Sequence, residues 1–476
     1  MSNKKNAISG AKWTTLSTAF NIIVQFAQIA VLARLLEPTA FGLVSISMLV
    51  INFLGIFAHF GFSNSIIHKQ ETNRRVLSTI YFLNLMIGAG MFIIIYLTAP
   101  LLVLYYKEPH LTEILHIAAF YFPIVFLGQI YNILLEKELK FKSLALTDIC
   151  CNTLGTGLTI ILAYYNYQAK SLIYGLLAGQ VLKMLIQNVL GRKYFVPVRY
   201  FNIDKIRGHL KFGVFNIGES LLGFANSNLD AIMIGGLLGV KQLGYYTIAL
   251  QIAVYPVSRL CPIIIQVSYP IMARMKDNLD GLKRAYLQIV DFITYINVPL
   301  LTGLFLMAFN IIPIIYGPGW EPTVPLIKIL VFMALFSCVT YPLSTVAFSI
   351  GKPNLPFYQN LIVVIIKFPM IYILARLYGV TGIALGLVLT MLIQVIINFL
   401  MIKHMVGSFV RLFLKELAKP VLFSVAMSGA ILLYKYFIGN TGVFHAMMQI
   451  ALGGLVYAAL TLKYKISLAE IKALRG

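Results

Sequence analysis

Apolar and polar positions along this chain come in blocks. Runs of Leu, Ile, Val, Phe, Met and Ala alternate with short segments holding Lys, Arg, Gly, Pro and Asn. A helix that crosses the hydrocarbon of a bilayer needs about 20 mainly apolar residues. Fourteen runs meet that requirement: 13–33, 40–61, 76–98, 112–135, 144–165, 171–190, 210–236, 243–269, 286–309, 325–350, 357–378, 381–402, 416–438 and 442–462. The fourth, seventh and tenth carry the most polar residues. The pattern predicts an all-α, polytopic membrane protein of about fourteen transmembrane helices.

A repeat is superimposed on the blocks. Leu35-Leu36-Glu37-Pro38-Thr39-Ala40-Phe41-Gly42 closes span one and opens span two. Leu237-Leu238-Gly239-Val240-Lys241-Gln242-Leu243-Gly244 does the same for spans seven and eight, 202 residues later. A looser echo links Lys137-Glu138-Leu139-Lys140-Phe141 with Gly351-Lys352-Pro353-Asn354-Leu355. The echoes divide the chain into a six-helix lobe at 1–190, a cytoplasmic linker at 191–211 and a second six-helix lobe at 212–404. Two further helices and a cytoplasmic tail occupy 405–476. Six is even, so the lobes form a parallel repeat, an arrangement suited to alternating access.

Composition fixes the solvent. Hydrophobic residues make up 59% of the 476 and charged residues 11%, against about 25% charged in a soluble domain. Mean hydropathy is +0.86. Lipid must therefore cover most of the surface.

The net charge of +22 would point to nucleic acid in a soluble protein. Here its distribution says otherwise. With the N-terminus inside, 28 of the 38 Lys and Arg fall on cytoplasmic segments and 7 outside, with Lys183, Arg259 and Lys367 within spans. That is the positive-inside bias, and it predicts cytoplasmic N- and C-termini. No nucleic-acid partner is expected, since no basic stripe interleaved with aromatics stands outside the spans. The 13–33 run is too long for a signal-peptide core and reads as an uncleaved first helix. The linker around Ile203 to Leu210 reads as an amphipathic interfacial helix on anionic headgroups. Cys150, Cys151, Cys261 and Cys338 lie in apolar runs without metal-ligand spacing and read as small buried hydrophobes.

Polar residues inside spans are costly and face protein or water. Span one carries Asn21, Gln25 and Gln28 at i, i+4 and i+7. Span seven carries Asn216, Glu219, Asn226, Asn228 and Asp230, with Glu219, Asn226 and Asp230 on one helical face. The 202-residue offset maps Gln28 onto Asp230. A hydrophilic cavity lined by spans one and seven follows as an expectation; interhelical amide bonding is the plainer alternative. Span eight holds Tyr255, Pro256, Arg259 and Pro262. The guanidinium of Arg259 suits a phosphate or a structural ion pair with Glu219, Asp230 or Asp291. Pro256 and Pro262 would let the helix bend. Lys367 and Asp148 are further intramembrane candidates, and Lys183 is expected to snorkel to the cytoplasmic edge. Tyr245, Tyr246 and Tyr255 suit sugar stacking or plain packing.

No G-x-x-x-x-G-K-[ST] loop, H-E-x-x-H, C-x-x-C or G-x-S-x-G occurs, so no enzyme, metal or cofactor is expected.

The stretch Leu229-Asp230-Ala231-Ile232-Met233-Ile234-Gly235-Gly236-Leu237-Leu238-Gly239, with Leu243-Gly244-Tyr245-Tyr246, resembles the polysaccharide transporter family of the multidrug/oligosaccharidyl-lipid/polysaccharide (MOP) flippase superfamily. So do Tyr255-Pro256-Val257-Ser258-Arg259 running on to Tyr269-Pro270, and Ile315-Tyr316-Gly317-Pro318-Gly319-Trp320 with Pro325-Leu326. In the first lobe, Ala33-Arg34-Leu35-Leu36 with Phe41-Gly42, and Glu138-Leu139-Lys140-Phe141, look the same way. The likeness is greatest to Wzx-type and colanic-acid-type exopolysaccharide exporters.

The resemblance implies a MATE-like fold in the bacterial inner plasma membrane. It implies an alternating-access flippase that moves undecaprenyl-diphosphate-linked oligosaccharide for O-antigen or exopolysaccharide synthesis. Arg259 and Lys367 would then meet the diphosphate, and Asn21, Gln25, Gln28, Asn226 and Tyr255 the sugars. Glu219 or Asp230 would couple transport to protons or sodium. Polysaccharide polymerases or glycosyltransferases are the protein partners such an exporter would have. The rivals are a cation-coupled multidrug antiporter, a lipid II flippase and a membrane enzyme or scaffold of polysaccharide synthesis.

Overall fold

The computed structural model describes the backbone of residues 2–58, 66, 71–203, 207–352 and 354–464, and their side chains except those of 2–9, 11, 207–217, 219, 267 and 344. Asn216 and Glu219 thus lie outside the described side chains.

The described chain is helical throughout. It divides into two compact units, Met1–Gly244 and Tyr245–Gly476. The first contains α1 (Ser2–Leu35), α2 (Pro38–Ala58), α3 (Arg74–Tyr106), α4 (His110–Ala119), α5 (Tyr121–Lys137), α6 (Phe141–Tyr164), α7 (Ala169–Gly191) and α8 (Arg207–Leu238). The second is built from α9 (Val240–Arg274), whose first turn belongs to the first unit, α10 (Leu279–Tyr316), α11 (Thr323–Ser349), α12 (Asn354–Val406), α13 (Val410–Phe437) and α14 (Val443–Tyr464).

Thirteen segments among the described residues are long and apolar enough to cross a membrane. One of them, α12, has 53 residues and would be about 80 Å long if straight, far beyond a hydrocarbon core of about 30 Å. It breaks at Gly379, whose φ of 61° and ψ of −138° are open to glycine but not to an L side chain. After the break the helix returns on itself. A Cβ at Gly382 would run into the Leu374 carbonyl, and one at Gly386 would press on Ile371 at 3.3 Å. Counting its arms 354–378 and 380–406 separately brings the spans to the expected fourteen.

Span four is interrupted in the other sense. Pro123 has no N–H for the Ala119 carbonyl and its ring would crowd that oxygen, so α4 ends at Ala119 and α5 starts two residues later. By contrast α9 runs unbroken through Pro256, Pro262 and Pro270.

The interfacial helix expected near Ile203 to Leu210 falls largely outside the residues with described side chains, and the chain before it takes its own course. Residues 196–202 form an extended strap on the first turns of α3. Arg74 Nε donates to the Val196 carbonyl at 2.8 Å, and the Val198 N–H donates to Ser78 Oγ at 3.0 Å. Phe195 is buried with Ile66, Ile80, Tyr131 and Leu134. From Arg207 the chain is already α8; 204–206 lie outside the described residues. Here α8 packs against α2 and α3, which places it in the first unit.

The glycine-rich motif after span nine is a helix stop. Gly317 and Gly319 have φ of 84° and 91°, and Trp320, 1% exposed, turns back beneath Tyr245 with ring centroids 5.9 Å apart. Tyr245 and Tyr246 are both buried and serve packing, the second of the two roles expected for them. Cys151, Cys261 and Cys338 are buried as expected, whereas Cys150 is exposed because its position on α6 faces outward.

Candidate functional site

The first unit holds a cavity of about 560 Å³ within its membrane-spanning helices. Its walls come from α1, α2, α6 and α7. The polar stripe of span one faces it: Asn21, Gln25 and Gln28 all line the space. Asn152 Nδ2 donates to Asn21 Oδ1 at 3.0 Å, and Thr156 Oγ1 donates to Gln28 Oε1 at 3.2 Å. Asn21 Nδ2 in turn donates to Ser17 Oγ at 3.4 Å. These bonds hold α1 against α6 and keep amide groups fixed at the cavity wall.

The charges in the cavity are Asp148 on α6 and Lys183 on α7, joined at 2.7 Å with side chains 42% and 33% exposed. Lys183 thus reaches a carboxylate of the neighbouring helix. Its ammonium ends beside a carboxylate about 10 Å along α6 from that helix's start, at 1.5 Å rise per residue. A pair is the cheaper state for both groups in a span, because either alone would leave an uncompensated charge.

Close helix packing shapes the space. Gly175 and Gly179 on α7 are one turn apart and face Gly155 on α6. A Cβ on Gly155 would stand 2.8 Å from the Gly175 carbonyl, and one on Gly175 would strike Thr159 Oγ1. Small residues bring the two backbones together at this seam.

Other expected site residues stand elsewhere. Asp230 is buried on α8 and Asn226 half-buried there; neither lines the cavity of the first unit. In the second unit, Tyr255 and Arg259 form a pair one turn apart on α9. Arg259 Nη2 donates to the Tyr255 hydroxyl at 3.1 Å and its guanidinium lies 4.7 Å from the ring centre. Lys367 is 5% exposed in the first arm of α12. The described residues contain no cluster of His, Cys, Asp and Glu that could hold a metal.

The sequence reading passed over Lys183 as a cavity group, and Asn152, Thr156 and Gln180 with it. Asp148, Asn152 and Thr156 repeat at i, i+4 and i+8, and Gln180 and Lys183 at i and i+3. Those spacings are the available signal.

Comparison with known proteins bears on the same helices. A family model described as polysaccharide biosynthesis protein matches residues 31–325. The lipopolysaccharide biosynthesis protein WzxC of Escherichia coli (strain K12) is 28% identical over 426 residues, covering 89% of this chain and 87% of that one. The lipid II flippase MurJ, in an inward closed conformation, superposes with a TM-score of 0.77 over 94% of this chain and 97% of that one at 17% identity. A multidrug resistance MATE family transporter of the MOP superfamily, inward-facing, gives 0.61 over 81% and 94%, also at 17%. These two likenesses establish the fold as MATE- and MurJ-like. The chain belongs to the family described as polysaccharide biosynthesis protein, whose model matches well over half of it.

Proposed function

We propose that this protein is a flippase. It moves undecaprenyl-diphosphate-linked oligosaccharide repeat units from the inner to the outer leaflet of the bacterial plasma membrane for surface polysaccharide synthesis. A charged sugar diphosphate cannot enter hydrocarbon without losing its hydration. The observation that carries the reading is the amide- and hydroxyl-lined cavity with its Asp148–Lys183 pair, set among membrane-spanning helices of a polysaccharide biosynthesis protein.

In this reading the amides of Asn21, Gln25, Gln28 and Asn152 replace water around sugar hydroxyls. Lys183 meets a phosphate oxygen when Asp148 yields it. Arg259, steadied by Tyr255, and Lys367 supply further cationic contacts, and Asn226 a polar one. Glu219 or Asp230 takes up the coupling ion. Both termini lie in the cytoplasm, which puts the α7–α8 strap inside and the turns after α1, α3 and α6 outside. Two six-helix halves at the 202-residue repeat alternate access.

The test is deletion of the gene in its host, with a leaflet-specific probe for the lipid-linked oligosaccharide in intact cells. Accumulation on the cytoplasmic leaflet, corrected by the wild type but not by folded Lys183→Met or Arg259→Ala, supports the proposal. An unchanged lipid-linked pool with lost resistance to cationic drugs would replace it with drug antiport.

A further inference from the structure

The first unit has a second cavity, of about 670 Å³, at the end where α1 meets α2 and α6 meets α7. It follows the membrane cavity along the same elements. Leu43 lines this one and Val44 the other on α2; Lys170 lines this one and Leu172 the other on α7. From Lys183 to Lys170 the rise along α7 is about 20 Å. The two spaces are therefore successive stations along one set of helices.

The chemistry of the second cavity is different. Ala40, Ile114 and Ala169 form a buried floor. Around it stand exposed Tyr165, Asn166, Tyr167 and Gln168, together with Glu37 and Glu113. Lys170 Nζ lies 2.5 Å from a Glu113 oxygen, which pairs those two charges, and Glu37 and His110 are the other titratable groups on the wall.

The aromatic segment is held in shape. The Asn166 N–H donates to the Ala163 carbonyl at 3.0 Å and the Tyr167 N–H to the Leu162 carbonyl at 3.1 Å. Asn166 and Gln168 have φ of 63° and 46°, a region L residues occupy only when the surroundings impose it. Two large exposed rings thus stand on a fixed turn beside a carboxylate and two amides.

We infer that this cleft is a second saccharide site, which receives the oligosaccharide as it leaves the membrane cavity. The inference rests on the flippase reading. Pyranose rings present apolar C–H faces to Tyr165 and Tyr167, while Glu37, Asn166 and Gln168 take the hydroxyls at the ring edge. The one lysine of the cleft is already paired with Glu113, which leaves little to hold a phosphate, so the cleft selects the sugar end of the substrate. The glycan arrives here while its diphosphate is still held deeper in the unit.

The test uses the full-length protein in lipid nanodiscs. The probe is the oligosaccharide released by mild acid from the host's own surface polysaccharide, which lacks the lipid diphosphate. Saturation-transfer NMR reads its binding. We expect binding that Tyr165→Ala/Tyr167→Ala weakens about tenfold or more and that Glu37→Gln weakens less. Both tyrosines are exposed, so the thermal midpoint of the double variant should match the wild type. Equal binding by the double variant and the wild type overturns the inference. Absence of oligosaccharide binding to the wild type also overturns it. The leaflet assay with the lipid-linked substrate judges the flippase reading separately, so the two can fail independently.

Discussion

Gly42 lies against the backbone of Val240: a Cβ on Gly42 would strike the Val240 carbonyl oxygen. The converse contact exists 202 residues along. A Cβ on Gly244 would strike the carbonyl oxygen of Pro38. Pro38 and Val240 are the first residues of α2 and α9, so two helix starts cross with a glycine from each opposite the other's first carbonyl. This reciprocal contact is what the matching Leu-Leu and Gly motifs encode.

Gly42→Ala and Gly244→Ala should therefore be comparably disruptive. Backbone carbonyls cannot move aside as a flexible side chain can, so each change is expected to cost about 1–3 kcal/mol. Thermal unfolding of the purified protein in detergent checks this. A variant as stable as the wild type would mean that the crossing is loose.

Gly379→Ala should impair insertion of the last three spans. The residue sits at φ 61°, ψ −138°, and an L side chain there costs on the order of 1–3 kcal/mol. A reporter fused after Val406 would then show mixed orientation, whereas the wild type shows one.

Asp148→Ala and Lys183→Ala should each abolish most transport while changing stability little. The pair is more than a third exposed on the Asp148 side, so its loss is worth about 1 kcal/mol at most after solvent screening. The exchanged double variant Asp148→Lys/Lys183→Asp should recover folding and part of the flux. Full activity in either single variant would remove the pair from the substrate path.

The last two helices are clamped to α10 by polar contacts. Asn310 Nδ2 donates to the Asn440 carbonyl and Oδ1 at 2.5 and 2.6 Å, and Lys435 Nζ to the Leu306 carbonyl at 2.6 Å. Asn310→Ala should cost about 1 kcal/mol and make the turn near Asn440 more open to protease. Unchanged digestion of Asn310→Ala vesicles would show that apolar packing alone holds α13 and α14.

The spans were legible in the sequence because lipid demands one simple thing, a run of apolar residues long enough to cross. The count of fourteen was recoverable even though α12 is continuous by hydrogen bonding, because charge on both sides of Gly379 alternates with the spans. The repeat was legible through Gly42 and Gly244, whose lack of a side chain is a local property. Asn21, Gln25 and Gln28 were identifiable as one face because they share a helix.

Tertiary structure decided what no single helix contains. Asp148 and Lys183 are 35 positions apart, and only the glycine seam between α6 and α7 sets their charges side by side. Lys183 alone, by length and flexibility, has the means to snorkel; a carboxylate within reach makes the interior cheaper. The 196–202 strap follows the same rule, since it is held by Phe195 in the core and by hydrogen bonds with Arg74 and Ser78 of α3. The sequence by itself determined the medium, the spans and the repeat, all fixed by local hydrophobicity and backbone freedom. The partners of each polar group were decided by packing, because a charge in lipid takes whichever compensating group the fold brings nearest.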